Sequence, residues 1–209
     1  MDTNRHESPF TLRTVGRKAF TLLELTVVIA IILVLAGLLV PSVQSILERA
    51  KKVQAKNDLS QIVTAVNAFY TEYGRYPTTA TTDVTFFTSP SNDQLLDVLR
   101  SNTSGGNAAL VTSLNSRQIV FISPPEDPTH LNPNGKIGSD QQFHDPWGNA
   151  YAVRLDANYD NQVSNPYGSG GGAGPDPLRQ GVISWSVGKD ANLGNNGSLT
   201  SSDDVISWQ

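Results

Sequence analysis

The chain has 209 residues, of which 38% are apolar and 16% are charged, so its mean composition is that of a soluble globular protein. It has no cysteine, which excludes disulfide scaffolds and cysteine-based zinc sites. The net charge of −4, without a basic patch interleaved with aromatic residues, argues against nucleic-acid binding. The apolar residues are unevenly spread, and residues 25–43 contain no charged side chain.

The first predicted element is an apolar helix that starts near residue 20. At a rise of about 1.5 Å per residue, about 20 helical residues cross the roughly 30 Å hydrocarbon core of a bilayer. A secretory signal peptide would have an apolar region of about 7–15 residues followed by a small-residue cleavage site. Here the small residues Ala36 and Gly37 are followed by further Leu and Val residues. The pattern therefore predicts a transmembrane helix.

One carboxylate, Glu24, stands near the start of this helix. A charged group in hydrocarbon costs on the order of 2.5–3.5 kcal/mol, so such groups are usually paired or functional. No lysine or arginine lies one turn away within the apolar run, and a plain membrane anchor does not explain the carboxylate. A cut between Ala19 and Phe20 would create an α-amino group close to Glu24 in sequence. That amine could pair with Glu24 of a neighbouring copy in a helical bundle.

Residues 18–25, with the sequence KAFTLLEL, closely resemble the prepilin signature of type IV pilins and type II secretion pseudopilins. The resemblance implies that prepilin peptidase removes the leader, residues 1–19, by cutting between Ala19 and Phe20. Phe20 would then be N-methylated, and Glu24 would act in assembly. The family's proline in the membrane helix corresponds to Pro41, where a kink is expected. The residue before the cut is usually glycine in the family and is alanine here.

Basic residues flank the apolar helix on both sides. They are Arg13, Arg17 and Lys18 before it, and Arg49, Lys51 and Lys52 after it. The positive-inside rule places the leader in the cytoplasm, and the second group argues weakly for the opposite orientation. The family resemblance favours the first arrangement. It implies a single-pass helix in the inner membrane over residues 20–43 and a periplasmic globular domain over residues 44–209.

The helical pattern continues beyond Pro41, because apolar residues recur at steps of three and four as far as Tyr73. We therefore predict one long helix from Phe20 to about Tyr73, ended by Gly74 with Pro77 just beyond. Later segments predict a short helix over residues 92–101, a strand or extended run over 117–122, and irregular chain over 123–135.

Three later segments, residues 151–155, 181–187 and 205–208, predict a small antiparallel sheet of about three strands. The fold class is therefore α+β, and the resemblance implies a pilin-like fold in which the second half of the long helix packs on the sheet. Trp185 and Trp208 are predicted to pack on that helix. Residues 168–177 are rich in glycine without a following helix, which predicts a flexible insertion and not a phosphate site.

Residues 145–151, with the sequence DPWGNAY, resemble a signature of the major pseudopilin of type II secretion systems. In physical terms they form a turn that leads into a strand. The neighbouring His144 and Asp145 could suggest catalysis. With three histidines in the chain and no serine motif, however, an enzyme is not expected.

Two segments carry oxygen side chains at spacings that suit calcium. Asp156, Asn158 and Asp160 resemble the start of an EF-hand loop. However, the sixth position of that loop is Asn161 where glycine is expected, and the twelfth is Tyr167 where glutamate is expected. A polar turn between strands is therefore the preferred interpretation there.

The second segment, residues 187–204, resembles the C-terminal calcium loop of the major pseudopilin. The resemblance implies Asp190, Asp203 and Asp204 as side-chain ligands, with backbone carbonyls near Val187 and Asn192 as further candidates. An acidic surface turn is the alternative. A bound calcium ion would supply the cross-link that a chain without cysteine lacks.

These features predict a structural subunit of a type II secretion pseudopilus. The resemblance implies self-assembly into a filament that drives export of folded proteins, with minor pseudopilins and an inner-membrane assembly platform as partners. A type IV pilin for adhesion, motility or DNA uptake is the alternative. The absence of cysteine and the resemblances of residues 145–151 and 190–204 disfavour it. A third possibility is a membrane-anchored binding or enzymatic domain.

Overall fold

The computed structural model describes residues 20–209, apart from the side chains of residues 38–42. The predicted leader, and with it Ala19, lies outside the described residues. The chain divides into two units, with the boundary between Ser45 and Ile46. Helix α1, Leu22–Tyr73, begins in the first unit and ends in the second, which confirms the prediction of one long helix.

In the first unit, α1 exposes apolar side chains at nearly every position. Phe20 and Leu22 are 82% and 83% exposed, and the apolar residues that follow, as far as Leu35, are about half exposed or more. A helix that is apolar all round is suited to a membrane or to the core of an assembly. With the side chains of residues 38–42 left out, no helix in the described chain has the length and hydropathy of a membrane span. The chain stays helical across Pro41, and the kink there remains a prediction.

In the second unit, α1 buries one face only. The residues Ala55, Leu59, Ile62, Val66 and Phe69 are fully buried, at alternating steps of four and three. Gly74 then ends the helix. Its φ of +66° is in the left-handed region that favours glycine, and its N–H donates to the carbonyl of Tyr70 at 2.8 Å.

The sheet has four antiparallel strands in sequential order: β1 (Val84–Phe86), β2 (Ala152–Leu155), β3 (Val182–Ser186) and β4 (Val205–Ile206). Three were predicted, so the expected number is corrected to four. Strand β1 has three residues, too few for an alternating pattern to stand out. It is fixed by its pairing with β2, in which Thr85 lies opposite Arg154.

Two short helices lie between β1 and β2. Helix α2, Asn92–Arg100, confirms the prediction over residues 92–101, whereas α3, Ala108–Leu114, was not predicted. Residues 117–122 form no strand. Gln118 has a φ of +52°, and the N–H of Phe121 donates to Leu99 of α2 instead of to the sheet. The alternative of an extended run over these residues stays a prediction.

The two faces of the sheet cover different cores. Val182 belongs to the core that contains α1, α2 and α3, and Ser184 on the same face donates its hydroxyl to the carbonyl of Leu59 in α1 at 3.2 Å. Ile183 and Trp185 point to the opposite face. The prediction that Trp185 and Trp208 pack on the helix is therefore wrong. Alternation along β3 turns Trp185 away from α1 because Ser184 and Ser186 take the other face.

The glycine-rich segment covers that opposite face and is not a loose insertion. Val163 and Leu178 exchange two backbone hydrogen bonds, which close a loop between them. Ala173 within this loop is fully buried, and its carbonyl accepts a 2.6 Å hydrogen bond from the indole N–H of Trp208. The loop supplies the apolar partners that the second face of the sheet requires.

Candidate functional site

Glu24 closes the first turn of α1 together with Thr21. Its Oε2 accepts hydrogen bonds from the backbone N–H and the hydroxyl of Thr21, both at 2.9 Å. In return the N–H of Glu24 donates to the hydroxyl oxygen of Thr21 at 3.2 Å. Since α1 begins at Leu22, this is a capping box, with Thr21 as the N-cap residue and Glu24 three positions later.

This cap gives Glu24 a partner that the sequence analysis overlooked. The expected partner was a cation, whereas Thr21 supplies neutral donors and leaves the carboxylate charge uncompensated. The signal was present in the spacing of Thr21 and Glu24 at the start of an apolar run. The carboxylate of Glu24 can therefore cap its own helix within one subunit. Its negative charge remains for a partner in another subunit.

The second site is the loop between β3 and β4. One carboxylate oxygen each from Asp190, Asp203 and Asp204 lies within 4.8 Å of the others. Calcium–oxygen distances of 2.3–2.6 Å allow ligands on opposite sides of one ion to lie about 5 Å apart. Within residues 20–209 this is the one group of three acidic or histidine side chains close enough to share a metal ion. The structure thus brings the three predicted carboxylates together.

Backbone donors hold two of these carboxylates in place. Oδ2 of Asp203 accepts the N–H groups of Lys189 at 2.6 Å and Asp190 at 3.2 Å. Oδ1 of Asp190 accepts the N–H of Asn192 at 2.9 Å. These bonds hold the start of the loop against the two carboxylates. Less conformational entropy of the loop would therefore be lost when an ion binds.

Asp204 is the buried member of the group, at 8% exposure. Its Oδ2 accepts the hydroxyl of Tyr167 at 2.6 Å and the N–H of Gly194 at 2.7 Å. Its Oδ1 is buried and has no hydrogen-bond partner among the described residues. Burial and the bond to Asp204 raise the pKa of the Tyr167 hydroxyl well above its usual value, so this group remains a donor. A buried oxygen without a partner is costly, and a metal ion at Oδ1 would remove that cost.

Gly188 sets the start of the loop. Its φ of +67° favours glycine, and a Cβ there would lie 2.7 Å from Cγ of Asp203. The N–H of Gly188 donates to the hydroxyl of Ser186 at 3.1 Å, and its carbonyl accepts the side-chain amide of Asn149 at 2.6 Å. The second residue after β3 is thus fixed through both of its backbone groups.

Asp145 organises the turn that holds Gly188. Its Oδ1 accepts the N–H groups of Trp147 and Asn149, both at 2.9 Å, and its Oδ2 accepts the Ser186 hydroxyl at 2.6 Å. Burial raises the pKa of this carboxyl group, and the hydrogen bonds from Ser186, Asn149 and Trp147 oppose the rise. The predicted turn at residues 145–149 is therefore confirmed, and the structure adds its contact with the loop.

The same turn also binds α1. The indole N–H of Trp147 donates to Oε2 of Glu48 at 2.9 Å. Two residues after Asn149, the Tyr151 hydroxyl donates to Oδ2 of Asp58 at 2.8 Å, in a buried position. The turn is therefore bonded to the helix on one side and to the acidic loop on the other.

The remaining predicted residues have structural contacts. Asp156 uses both carboxylate oxygens to accept the N–H groups of Asp160 and Asn161, at 3.2 and 2.7 Å, which favours the polar-turn interpretation. His144 faces Asp140 at 3.1 Å and the carbonyl of Gly148, away from the Asp145 carboxylate. The backbone carbonyls near Val187 and Asn192 remain predictions as ligands.

Known proteins similar to this chain are components of secretion systems and pili. The type II secretion system core protein G of Dickeya chrysanthemi is 29% identical over 182 residues, which is 87% of this chain and 95% of that protein. The protein of the same name from Escherichia coli is 29% identical over 136 residues, 63% of this chain and 92% of that protein. Over most of its length the chain is therefore similar to G-type pseudopilins of the type IV pilin superfamily.

A shorter match is to a pilin. The type IV major pilin protein PilA of Myxococcus xanthus is 39% identical over 59 residues, 28% of this chain and 27% of that protein. No family model matches the chain, and no solved structure matches it significantly. The names of these relatives describe components of secretion systems or pili, not enzymes.

Proposed function

We propose that this pseudopilin is a structural subunit of a type II secretion pseudopilus and not an enzyme. The likeness to the G proteins of Dickeya chrysanthemi and Escherichia coli carries this proposal, because it extends over most of their length. The exposed apolar surface of α1 in the first unit supports it. Subunits would leave the inner membrane and stack through this surface into a periplasmic filament that drives folded proteins across the outer membrane.

The proposed maturation follows from the same segment. Prepilin peptidase would cut between Ala19 and Phe20, and the new amino group at Phe20 would be methylated. Glu24 of one subunit would then pair with that amine on a neighbour and fix the axial register between them. The inner-membrane assembly platform and minor pseudopilins would be the partners in initiation, with the C-terminal domain in the periplasm.

We further propose that Asp190, Asp203 and Asp204 hold one calcium ion. The donor set supports this, since calcium prefers carboxylate and carbonyl oxygens. The buried and unpartnered Oδ1 of Asp204 supports it independently. The ion would tie the loop to β3 and β4, which suits a domain without disulfides.

Loss of this pseudopilin from its host is expected to stop the export of type II secretion substrates. Folded substrates should accumulate in the periplasm, because the filament that drives them would lack its principal subunit. The measurement compares extracellular and periplasmic substrate in the parent, the deletion strain and the deletion strain complemented with the chain. Complementation should restore the extracellular fraction.

The match to the Myxococcus xanthus pilin favours one alternative, a type IV pilin used for adhesion, motility or DNA uptake. The same deletion strain separates the two functions. Surface fibres that disappear while secretion continues would contradict the pseudopilus proposal and support the pilin.

A further inference from the structure

The turn at residues 145–149 contacts both α1 and the acidic loop without supplying any of the carboxylates proposed to bind the ion. We infer that Asn149 is a positioning residue for calcium, which sets the affinity of the loop from outside the ligand set and couples the loop to α1. This inference rests on the proposed calcium site.

Gly188 is held at both of its polar backbone groups. The amide of Asn149 donates to its carbonyl at 2.6 Å. On the other side of the same residue, Ser186 accepts its N–H and donates to Asp145. The N–H and the carbonyl of Gly188 are therefore both held by the turn or by Ser186, which is bonded to it. The two peptide planes on either side of Gly188 have little freedom to rotate.

Asp203 lies directly against Gly188. A Cβ on Gly188 would lie 2.7 Å from Cγ and 2.8 Å from Oδ1 of Asp203, so the two residues are in close contact. The next two N–H groups, of Lys189 and Asp190, bind Oδ2 of Asp203. Rotation of the Gly188 peptide would move these donors, and with them the carboxylates of Asp203 and Asp190.

The turn at residues 145–149 is also bonded to α1. Trp147, two residues before Asn149, donates to Glu48 of the helix. A continuous set of contacts therefore runs from Glu48 through the turn to Gly188 and the acidic loop. An ion that fixes the loop also restrains Gly188, and by reciprocity whatever restrains Gly188 strengthens the binding of the ion.

The test is calcium binding by the full chain in non-ionic detergent, measured by isothermal titration for the parent and for Asn149→Ala. We expect the variant to bind calcium about tenfold more weakly, as is typical when a residue that orients metal ligands is lost. The loss of stability caused by Asn149→Ala should then be larger in saturating calcium than in chelator, by the amount that corresponds to the lower affinity. Should Asn149→Ala fail to fold, Asn149→Ser replaces it, since serine is too short to reach the carbonyl of Gly188.

A matched control is Asn102→Ala. The Asn102 amide also donates a partly buried hydrogen bond, to Asp97 at 2.8 Å, but it does not contact the loop. This variant should lose stability equally with and without calcium and keep the affinity of the parent. Equal calcium affinity in the parent and Asn149→Ala would overturn the inference and leave the calcium site intact. A parent that binds no calcium would overturn the site and the inference together.

Discussion

Replacing Glu24 with alanine is expected to abolish filament assembly and to reduce secretion to the level of a strain without the chain. The substitution removes the carboxylate proposed to pair with the Phe20 amine of a neighbouring subunit. It also removes the acceptor of the two hydrogen bonds from Thr21. The measurement is the yield of sheared or cross-linked filament, together with extracellular substrate, at matched protein levels.

The loss of the helix cap and the loss of the charge pair differ in free energy. A helix cap contributes about 1 kcal/mol. An amine and a carboxylate 4 Å apart attract each other by about 4 kcal/mol at an effective dielectric constant of 20, before desolvation is counted. We therefore expect the loss of charge to dominate assembly and the loss of the cap to fray the first turn of α1.

Glu24→Gln separates these effects. Glutamine retains the acceptor of the capping box but carries no charge. It should keep the helix terminus and still fail to assemble. Filaments and secretion at parental levels in Glu24→Gln would show that the cap alone matters and that no charge pair sets the register.

Removal of calcium is expected to lower the melting temperature of the folded domain by several degrees. At a concentration 100 times the dissociation constant, a ligand bound only to the native state adds about 2.7 kcal/mol. For a domain of this size, that corresponds to about 5–10 °C. The measurement is thermal unfolding of the full chain in detergent, followed by circular dichroism in calcium and in chelator.

Asp190→Ala should abolish this difference between calcium and chelator. Asp160→Ala is the matched control, because both carboxylates are exposed and each accepts one N–H two residues later, at 2.9 Å in Asp190 and 3.0 Å in Asp160. The control should lose the same turn bond and keep the full calcium effect. A parent whose unfolding is unchanged by chelator would contradict the calcium site.

The elements that could be predicted are those with a long or regular pattern. The buried face of α1 repeats over many turns, and the strands that became β2, β3 and β4 alternate. Strand β1 and helix α3 were missed because they are short, and their positions depend on contacts with β2 and α2 that have no local signal. Trp185 was predicted on the wrong face, because alternation along β3 gives the face towards α1 to Ser184 and Ser186.

The candidate sites also contain residues with a signal in the sequence and residues that only distant contacts bring into place. Family resemblance indicated Asp190, Asp203 and Asp204, and folding brings them together across the loop. The residues that hold these ligands, Tyr167 and Asn149, come from segments far away in sequence. Their roles depend on the return of the glycine-rich loop and of the turn to the end of β3, which no local spacing encodes. The Thr21 cap, by contrast, was visible in the sequence.

The most direct test of the pseudopilin assignment is the intact mass and N-terminal sequence of the mature protein from its host membrane. We predict a chain that begins at Phe20 and carries one methyl group on its amino nitrogen. A mature chain that retains residues 1–19, or that is cut at another position, would contradict the assignment of Ala19 and Phe20 as the processing site and with it the proposed filament.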